Sequence, residues 1–174
     1  MKNPIAHSQP IRAAFVAVVA TVALTAAWIS GAAAQTEALS WTFGSPPPAE
    51  GKQWTAERGT LTVANGEARL QPDANRRVVL LSPPDLPNTA RAAESFALGM
   101  AGTGLERVRI QGRRDARGGW ITLADAGGAA LHETAEGYIV KRKPGARDAP
   151  IERLRIELQF RTTNPRALQR IVVH

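Results

Sequence analysis

Cysteine is absent from this chain of 174 residues, so no disulfide bond can stabilise the fold. Small domains that function outside the cytoplasm commonly depend on disulfides. A domain of about 140 residues, however, buries roughly two-thirds of the surface that its unfolded chain exposes. We therefore expect a single domain that is held together by hydrophobic packing alone.

Histidine is also scarce, with three residues in the whole chain. Zinc sites need three or more convergent nitrogen, sulfur or carboxylate ligands, and outside the N-terminal segment only His132 and His174 are present. We expect no zinc and no other cofactor. Binding of a structural calcium ion remains an alternative, because Asp73, Asp85 and Asp125 all fall in predicted turns. Aspartate in a turn also caps its own backbone, which is the alternative explanation.

Catalytic signatures are missing as well. No Gly-x-Ser-x-Gly nucleophile motif occurs, and the glycines at 99, 102 and 104 lack the lysine and the following helix of a phosphate-binding loop. Glycoside hydrolysis needs two carboxylates on one wall of a cleft, and no spacing singles out a pair among Glu106, Glu133, Glu136 and Glu157. Glu157 lies among arginines on an outward strand face, which predicts a cross-strand ion pair. The sequence therefore does not predict an enzyme.

A long apolar run occurs only in residues 13–29. Lys2 and Arg12 precede it, and a small-residue Ala-x-Ala site ends at Ala34. This pattern predicts a secretory signal peptide over residues 1–34 and a mature domain over residues 35–174. The alternative is an uncleaved membrane anchor, since the run approaches the lower limit of about 17 residues for spanning a bilayer. In either case residues 35–174 leave the cytoplasm.

The bacterial periplasm or the extracellular medium is the expected location, since frequent alanine and arginine are typical of GC-rich bacterial genomes. Contact with a membrane is expected only if the N-terminal segment is uncleaved. The whole chain has 22 basic and 15 acidic residues and a net charge of +7. Without Lys2 and Arg12 the charge falls to +5, with 20 basic residues against 15 acidic ones. These charges are interleaved and form no contiguous basic stripe, so nucleic acid is not an expected partner.

Short runs of alternating apolar and polar residues dominate the rest of the chain. Asn65-Gly66 predicts a hairpin between residues 60–64 and 67–71. Helical periodicity is limited to single turns at 88–95 and 164–170. We therefore predict an all-β fold, an antiparallel β-sandwich of the jelly-roll type. The candidate strands cover residues 39–43, 60–64, 67–71, 76–81, 95–100, 105–111, 119–123, 130–133, 138–141, 152–160 and 167–173.

Aromatic residues make up only 5% of the chain, so each is a candidate for a specific role. Sugar rings stack their C–H faces on exposed aromatic rings, which makes a saccharide site one hypothesis for a secreted sandwich. Trp41 and Trp120 follow strand register and are predicted to lie in the core. Trp54 lies in a predicted loop and Tyr138 begins a strand beside a glycine. For both residues the sequence leaves two interpretations, contact with a ligand and burial in the core.

Arginines are concentrated in the predicted strand 105–111 and in the loop that follows it. Arg107, Arg109 and Arg114 are the candidates for a surface that binds an anionic polymer or an acidic partner. The alternative is a solvated face that Glu106 and Asp115 partly neutralise. The pattern alone leaves the two interpretations open.

The segments IERLRIELQFRTTNPRALQRIVVH, VVLLSPPDL and GGWITLADAGG resemble strands of galactose-binding-like, or discoidin-type, jelly-roll domains. The resemblance covers most of residues 38–173. It implies a sandwich that binds glycans, lipid headgroups or proteins through loops at one end. The chain lacks the cysteine pair that often joins the termini of discoidin domains.

These observations favour an exported, non-catalytic module that binds a saccharide or a cell-envelope polymer. The second hypothesis is a structural or protein–protein interaction domain of an envelope assembly. A hydrolase with an unrecognised carboxylate site is the third.

Overall fold

The computed structural model describes residues 39–43, 53–64, 67–86, 93–100, 104–115, 117–145 and 151–174. The predicted signal peptide and its cleavage site lie outside these residues. No helix in the described ranges has the length and hydropathy that crossing a membrane requires.

Twelve strands account for most of the described residues, and a single short 3₁₀ turn at Gly128–Ala130 is the helical element among them. The predicted all-β class is confirmed. The strands are β1 (Leu39–Thr42), β2 (Thr55–Arg58), β3 (Thr60–Ala64), β4 (Glu67–Gln71), β5 (Arg77–Leu81), β6 (Ser95–Met100), β7 (Leu105–Arg113), β8 (Ile121–Gly127), β9 (His132–Thr134), β10 (Gly137–Lys141), β11 (Arg153–Phe160) and β12 (Arg166–Val173).

The strands form two antiparallel sheets. The seven-stranded sheet has the order β3-β4-β12-β6-β10-β9, and β1 also pairs with β12. The five-stranded sheet has the order β2-β5-β11-β7-β8. The chain passes repeatedly from one sheet to the other, as in a jelly roll, and this confirms the predicted β-sandwich.

The core lies between the two sheets and follows from strand periodicity. In β11, Leu154, Ile156, Leu158 and Phe160 are buried, and the residues between them are partly exposed. Successive side chains of a strand point to opposite faces, so β11 presents one wholly apolar face to the core. These side chains belong to the same buried cluster as Phe96 in β6.

Several local predictions need correction. The loop predicted up to Gly59 is interrupted by a strand, because residues 55–58 form β2, which pairs with β5, and Trp54 directly precedes that strand. Asp125 lies within β8 and not in a turn, because β8 continues to Gly127 beside β7. The segment 164–170 contains the start of β12 and no helical turn.

Candidate functional site

The outer face of the five-stranded sheet, opposite the core, carries a continuous set of polar side chains. The register of the sheet places Glu157 of β11 beside Arg109 of β7, and Arg109 beside Asp125 of β8. Residues side by side on one face of antiparallel strands are close enough to interact. Charges of alternating sign therefore cross three neighbouring strands.

Two carboxylates bridge three guanidinium groups in this row. Arg107 donates from Nε to Asp125 Oδ1 at 2.8 Å and from Nη2 to Oδ2 at 2.9 Å. Arg109 lies between the acids, with Nε 3.3 Å from Asp125 Oδ2 and Nη1 3.6 Å from Glu157 Oε2. Arg77 Nη1 lies 3.3 Å from Glu157 Oε1. The predicted cross-strand pairing of Glu157 is confirmed.

The acids of this network lie beneath the arginines. The side chains of Asp125 and Glu157 are 17% and 19% exposed, whereas those of Arg109 and Arg107 are 35% and 52% exposed. A buried carboxylate is costly unless it is paired, and here the arginines satisfy both. The surface that faces solvent is consequently rich in N–H donors.

A cleft of about 550 Å³ opens above this network. Its charged lining consists of Arg76, Arg77, Arg107, Arg109, Glu106 and Glu157. Side-chain amides add further hydrogen-bonding groups, since Gln159 accepts from Arg77 Nε at 2.9 Å. We call this region the arginine cleft.

Trp120 lies at the other end of the same outer face. Its ring is partly exposed, with the Cζ atoms of Arg113 and Arg155 at 5.0 and 5.9 Å from the ring centroid. Arg155 is held in place because Nη1 donates to Gln111 Oε1 at 3.1 Å and Nε to Glu57 Oε2 at 2.8 Å. Four residues of β7 separate Arg109 from Arg113, so the two ends of the face are about 13 Å apart.

The prediction that Trp120 lies in the core is wrong. The register between β7 and β8 shifts between Ile110 and Gln111, and Leu123 and Ala124 are both buried. Thr122 then lies opposite Gln111 on the outer face. Trp120, two residues earlier, has the same orientation. Trp41, by contrast, packs against the core as predicted.

Trp54 and Tyr138 are both buried. Trp54 packs edge-on against Trp41 with ring centroids 5.2 Å apart, and its Nε1 has no hydrogen-bond acceptor among the described residues. Tyr138 lies in β10 opposite Leu98, and burial raises the pKa of its phenol. Neither ring offers a face to solvent, so neither forms an open platform for stacking a ligand.

The three candidate arginines do not form one patch. Arg107 and Arg109 line the arginine cleft, whereas Arg114 is exposed just beyond the far end of β7. Five residues of extended chain place Arg114 about 16 Å from Arg109. Among the residues that the structure describes, Asp115 forms no ion pair with an arginine, and its Oδ1 instead accepts hydrogen bonds from the backbone N–H groups of Arg117 and Gly118 at 2.7 and 2.6 Å.

The proposed calcium ligands are dispersed. Asp73 uses Oδ1 to accept from the backbone N–H groups of Asn75 and Arg77, both at 2.9 Å, which is ordinary turn chemistry. Within the described ranges, no three His, Asp or Glu side chains form a group that could hold a metal ion. The structural calcium ion stays a prediction without a located site.

The ion pairs make Asp125 sensitive to acid. Its hydrogen bond with Arg107 lowers the pKa of Asp125 below the usual value. The pKa of Asp125 is lower in the folded than in the unfolded state. The ion pair therefore contributes its full stabilisation at pH values above the pKa of the unfolded state, and this contribution is lost as the pH falls through the pKa of the folded state. We expect Asp125→Asn to reduce the free energy of unfolding by about 1 kcal/mol at neutral pH.

Urea unfolding between pH 7 and pH 2 tests this expectation. The difference between the wild type and Asp125→Asn should shrink as the pH falls below about 4, the usual pKa of aspartate, and disappear once the pH is below the lowered pKa of Asp125 in the folded state. Asp85→Asn is the control, since Asp85 is exposed and has no ion pair within the described residues. A pH-independent effect of Asp125→Asn would contradict the assignment.

The fold and the outer face define the protein as an antiparallel β-sandwich with one polar, arginine-rich sheet surface. No protein-family model and no curated protein sequence matches the chain.

Solved structures with a similar layout include a low-affinity xylan-binding module of family 86 from Roseburia intestinalis, with a TM-score of 0.49 and 10% identity over 79% of this chain and 94% of that one. A carbohydrate-binding module of family 29 has a TM-score of 0.46 and 12% identity over 78% and 88%.

A family 29 fucosidase from Ruminococcus gnavus is also similar, with a TM-score of 0.48 and 10% identity over 77% of this chain and 26% of that enzyme. At these TM-scores the neighbours do not establish a family for the chain, and their ligands remain properties of those proteins. Membership of the galactose-binding-like family stays a prediction.

Proposed function

We propose that the protein is a non-catalytic saccharide-binding module whose ligand lies along the outer face of the five-stranded sheet. The observation that carries the proposal is the partly exposed Trp120 ring on a sheet face lined with fixed guanidinium and amide groups. We also propose that the protein is exported and acts in the periplasm or outside the cell.

Sugars and this face have complementary chemistry. A pyranose ring offers an apolar C–H face, which an aromatic ring covers, and hydroxyl groups around its edge, which need hydrogen-bond partners. Trp120 supplies the ring, and the guanidinium groups of Arg113 and Arg155, which lie over it at 5.0 and 5.9 Å from its centroid, supply hydrogen-bond donors. A sugar would stack on the part of the ring that stays exposed. The length of about 13 Å between Arg109 in the arginine cleft and Arg113, whose guanidinium group lies over Trp120, suits several linked sugars better than a single one.

The carboxylates of this face are poorly suited to hydrolysis. A glycosidase needs one carboxylic acid whose pKa is raised so that it can donate a proton. The pKa of Asp125 is instead lowered by Arg107, and Glu157 contacts both Arg77 and Arg109. Both acids therefore serve to position arginines, which supports binding without catalysis.

Affinity electrophoresis of the purified protein through gels that contain soluble polysaccharides tests the proposal. We expect retardation by at least one polysaccharide, and we expect Trp120→Ala to weaken binding about tenfold or more, as loss of a buried aromatic contact does. Ile139→Ala is the matched control, because Ile139 is an exposed apolar residue of the seven-stranded sheet.

Thermal unfolding of each variant shows that the folds are intact. The proposal fails if no polysaccharide retards the wild type at high micromolar protein, or if Trp120→Ala binds as tightly as Ile139→Ala. Binding of an envelope protein in place of any polysaccharide would favour the interaction-domain hypothesis.

A further inference from the structure

We infer that the arginine cleft binds the carboxylate of an acidic sugar, so that the ligand is a polysaccharide containing uronic acid residues. This inference rests on the proposed function and adds the chemical class of the ligand. The cleft and Trp120 share one sheet face, so a single chain of sugars can reach both.

The cleft has an excess of positive charge. Four arginines and two glutamates line it, and Asp125 beneath the lining removes one further unit of positive charge. Arg161 adds one positive charge at the rim, since its Nε lies 3.9 Å from Glu106 Oε1. Two net positive charges remain, which favours an anionic ligand.

The guanidinium groups of the cleft retain N–H donors that the ion pairs do not use. The contacts of Arg77 and Arg109 use Nε and Nη1, and those of Arg107 use Nε and Nη2. The third nitrogen of each group contacts no acceptor among the described residues. A planar carboxylate accepts two parallel N–H bonds from such groups.

The arginines are also fixed before a ligand arrives. Glu157 and Asp125 hold Arg77, Arg107 and Arg109 at the distances given above, so little side-chain entropy is lost on binding. The two acids thus determine where the free N–H groups point. This explains why a surface that binds anions contains partly buried carboxylates.

The experiment compares a polyuronate with its methyl ester, which has the same backbone without the charge. We expect the wild type to bind the polyuronate about tenfold or more tightly than the ester, since hydrogen bonds between charged groups have that effect on affinity. The preference should weaken as sodium chloride is added.

Arg107→Gln is the test variant, because Arg107 is half-exposed and Asp125 keeps Arg109 as a partner. The ratio of the two affinities should fall about tenfold. Arg107→Lys should restore it only in part, because lysine keeps the charge but not the planar pair of donors. Arg170→Gln is the matched control, since Arg170 is an exposed arginine of the seven-stranded sheet that pairs with Glu136.

The outcomes separate the two proposals. Equal binding of polyuronate and ester that still depends on Trp120 would overturn the acidic assignment and leave saccharide binding in place. Absence of binding to either polymer, and to neutral polysaccharides, would overturn both. Tighter binding of a sulfated polysaccharide, or equal binding of polyglutamate at the same charge, would also overturn the assignment to a sugar carboxylate.

Discussion

Gly137→Ala is expected to destabilise the fold by about 3 kcal/mol or more. Gly137 begins β10 after a tight turn and has a φ of +133°, a conformation that side chains rarely adopt. A Cβ atom there would overlap the carbonyl oxygen of Leu98 and lie 2.9 Å from the backbone nitrogen of Met100. Both atoms belong to the backbone of β6, so a simple side-chain rotation cannot relieve the overlap.

Urea unfolding measures the effect, with Gly128→Ala as the matched control. Gly128 also has a positive φ, of 56°, but a Cβ atom there would meet nothing within 4 Å. That variant should lose only about 1 kcal/mol, the cost of the left-handed conformation. Equal losses in the two variants would contradict the close approach of β10 to β6.

Phe96→Ala is expected to cost about 3–5 kcal/mol, the range for a buried phenylalanine. Phe96 is among the largest fully buried side chains of the described residues. It lies in the centre of the seven-stranded sheet, between Val140 of β10 and Val173 of β12. Such a loss is a large fraction of the free energy of unfolding of an ordinary domain, and this chain has no disulfide bond that could limit it.

Chemical denaturation of Phe96→Ala and Ile139→Ala tests the expectation. Ile139 is one residue from Val140 on the same strand but exposed, so its truncation should change stability by about 0.5 kcal/mol or less. Phe96→Leu should fall between the two. A cost for Phe96→Ala close to that of Ile139→Ala would mean that the sheets are not packed on this residue.

Much of the fold was predictable because its signals are local. The unbroken alternation of residues 153–160 became β11 with its apolar face in the core. The pairing of residues 60–64 with 67–71 was also predicted correctly, since Leu61 pairs with Leu70 and Val63 with Ala68; the predicted Asn65-Gly66 turn lies outside the described residues. Turn chemistry and a period of two residues are properties of short segments, which the sequence displays directly.

The candidate site was less predictable because it depends on which strands are neighbours. Arg77 and Glu157 meet across the β5–β11 pair, although 80 positions separate them in the sequence. Trp120 was misplaced because the register shift between β7 and β8 reverses the local alternation. Trp54 follows a proline-rich stretch that resembles a loop, but it packs on Trp41 of β1 across that stretch.

The pairing of β1 with β12 has a mechanical consequence. Leu39 lies opposite Val173 in an antiparallel register, so the chain enters and leaves this ladder at the same end. Tension applied at residues 39 and 174 acts along the hydrogen bonds, which run across the strands, and loads the pairs one after another. Stretched by its two ends, the domain should therefore peel open from β1 at low force, with no resistance from sliding of the two strands.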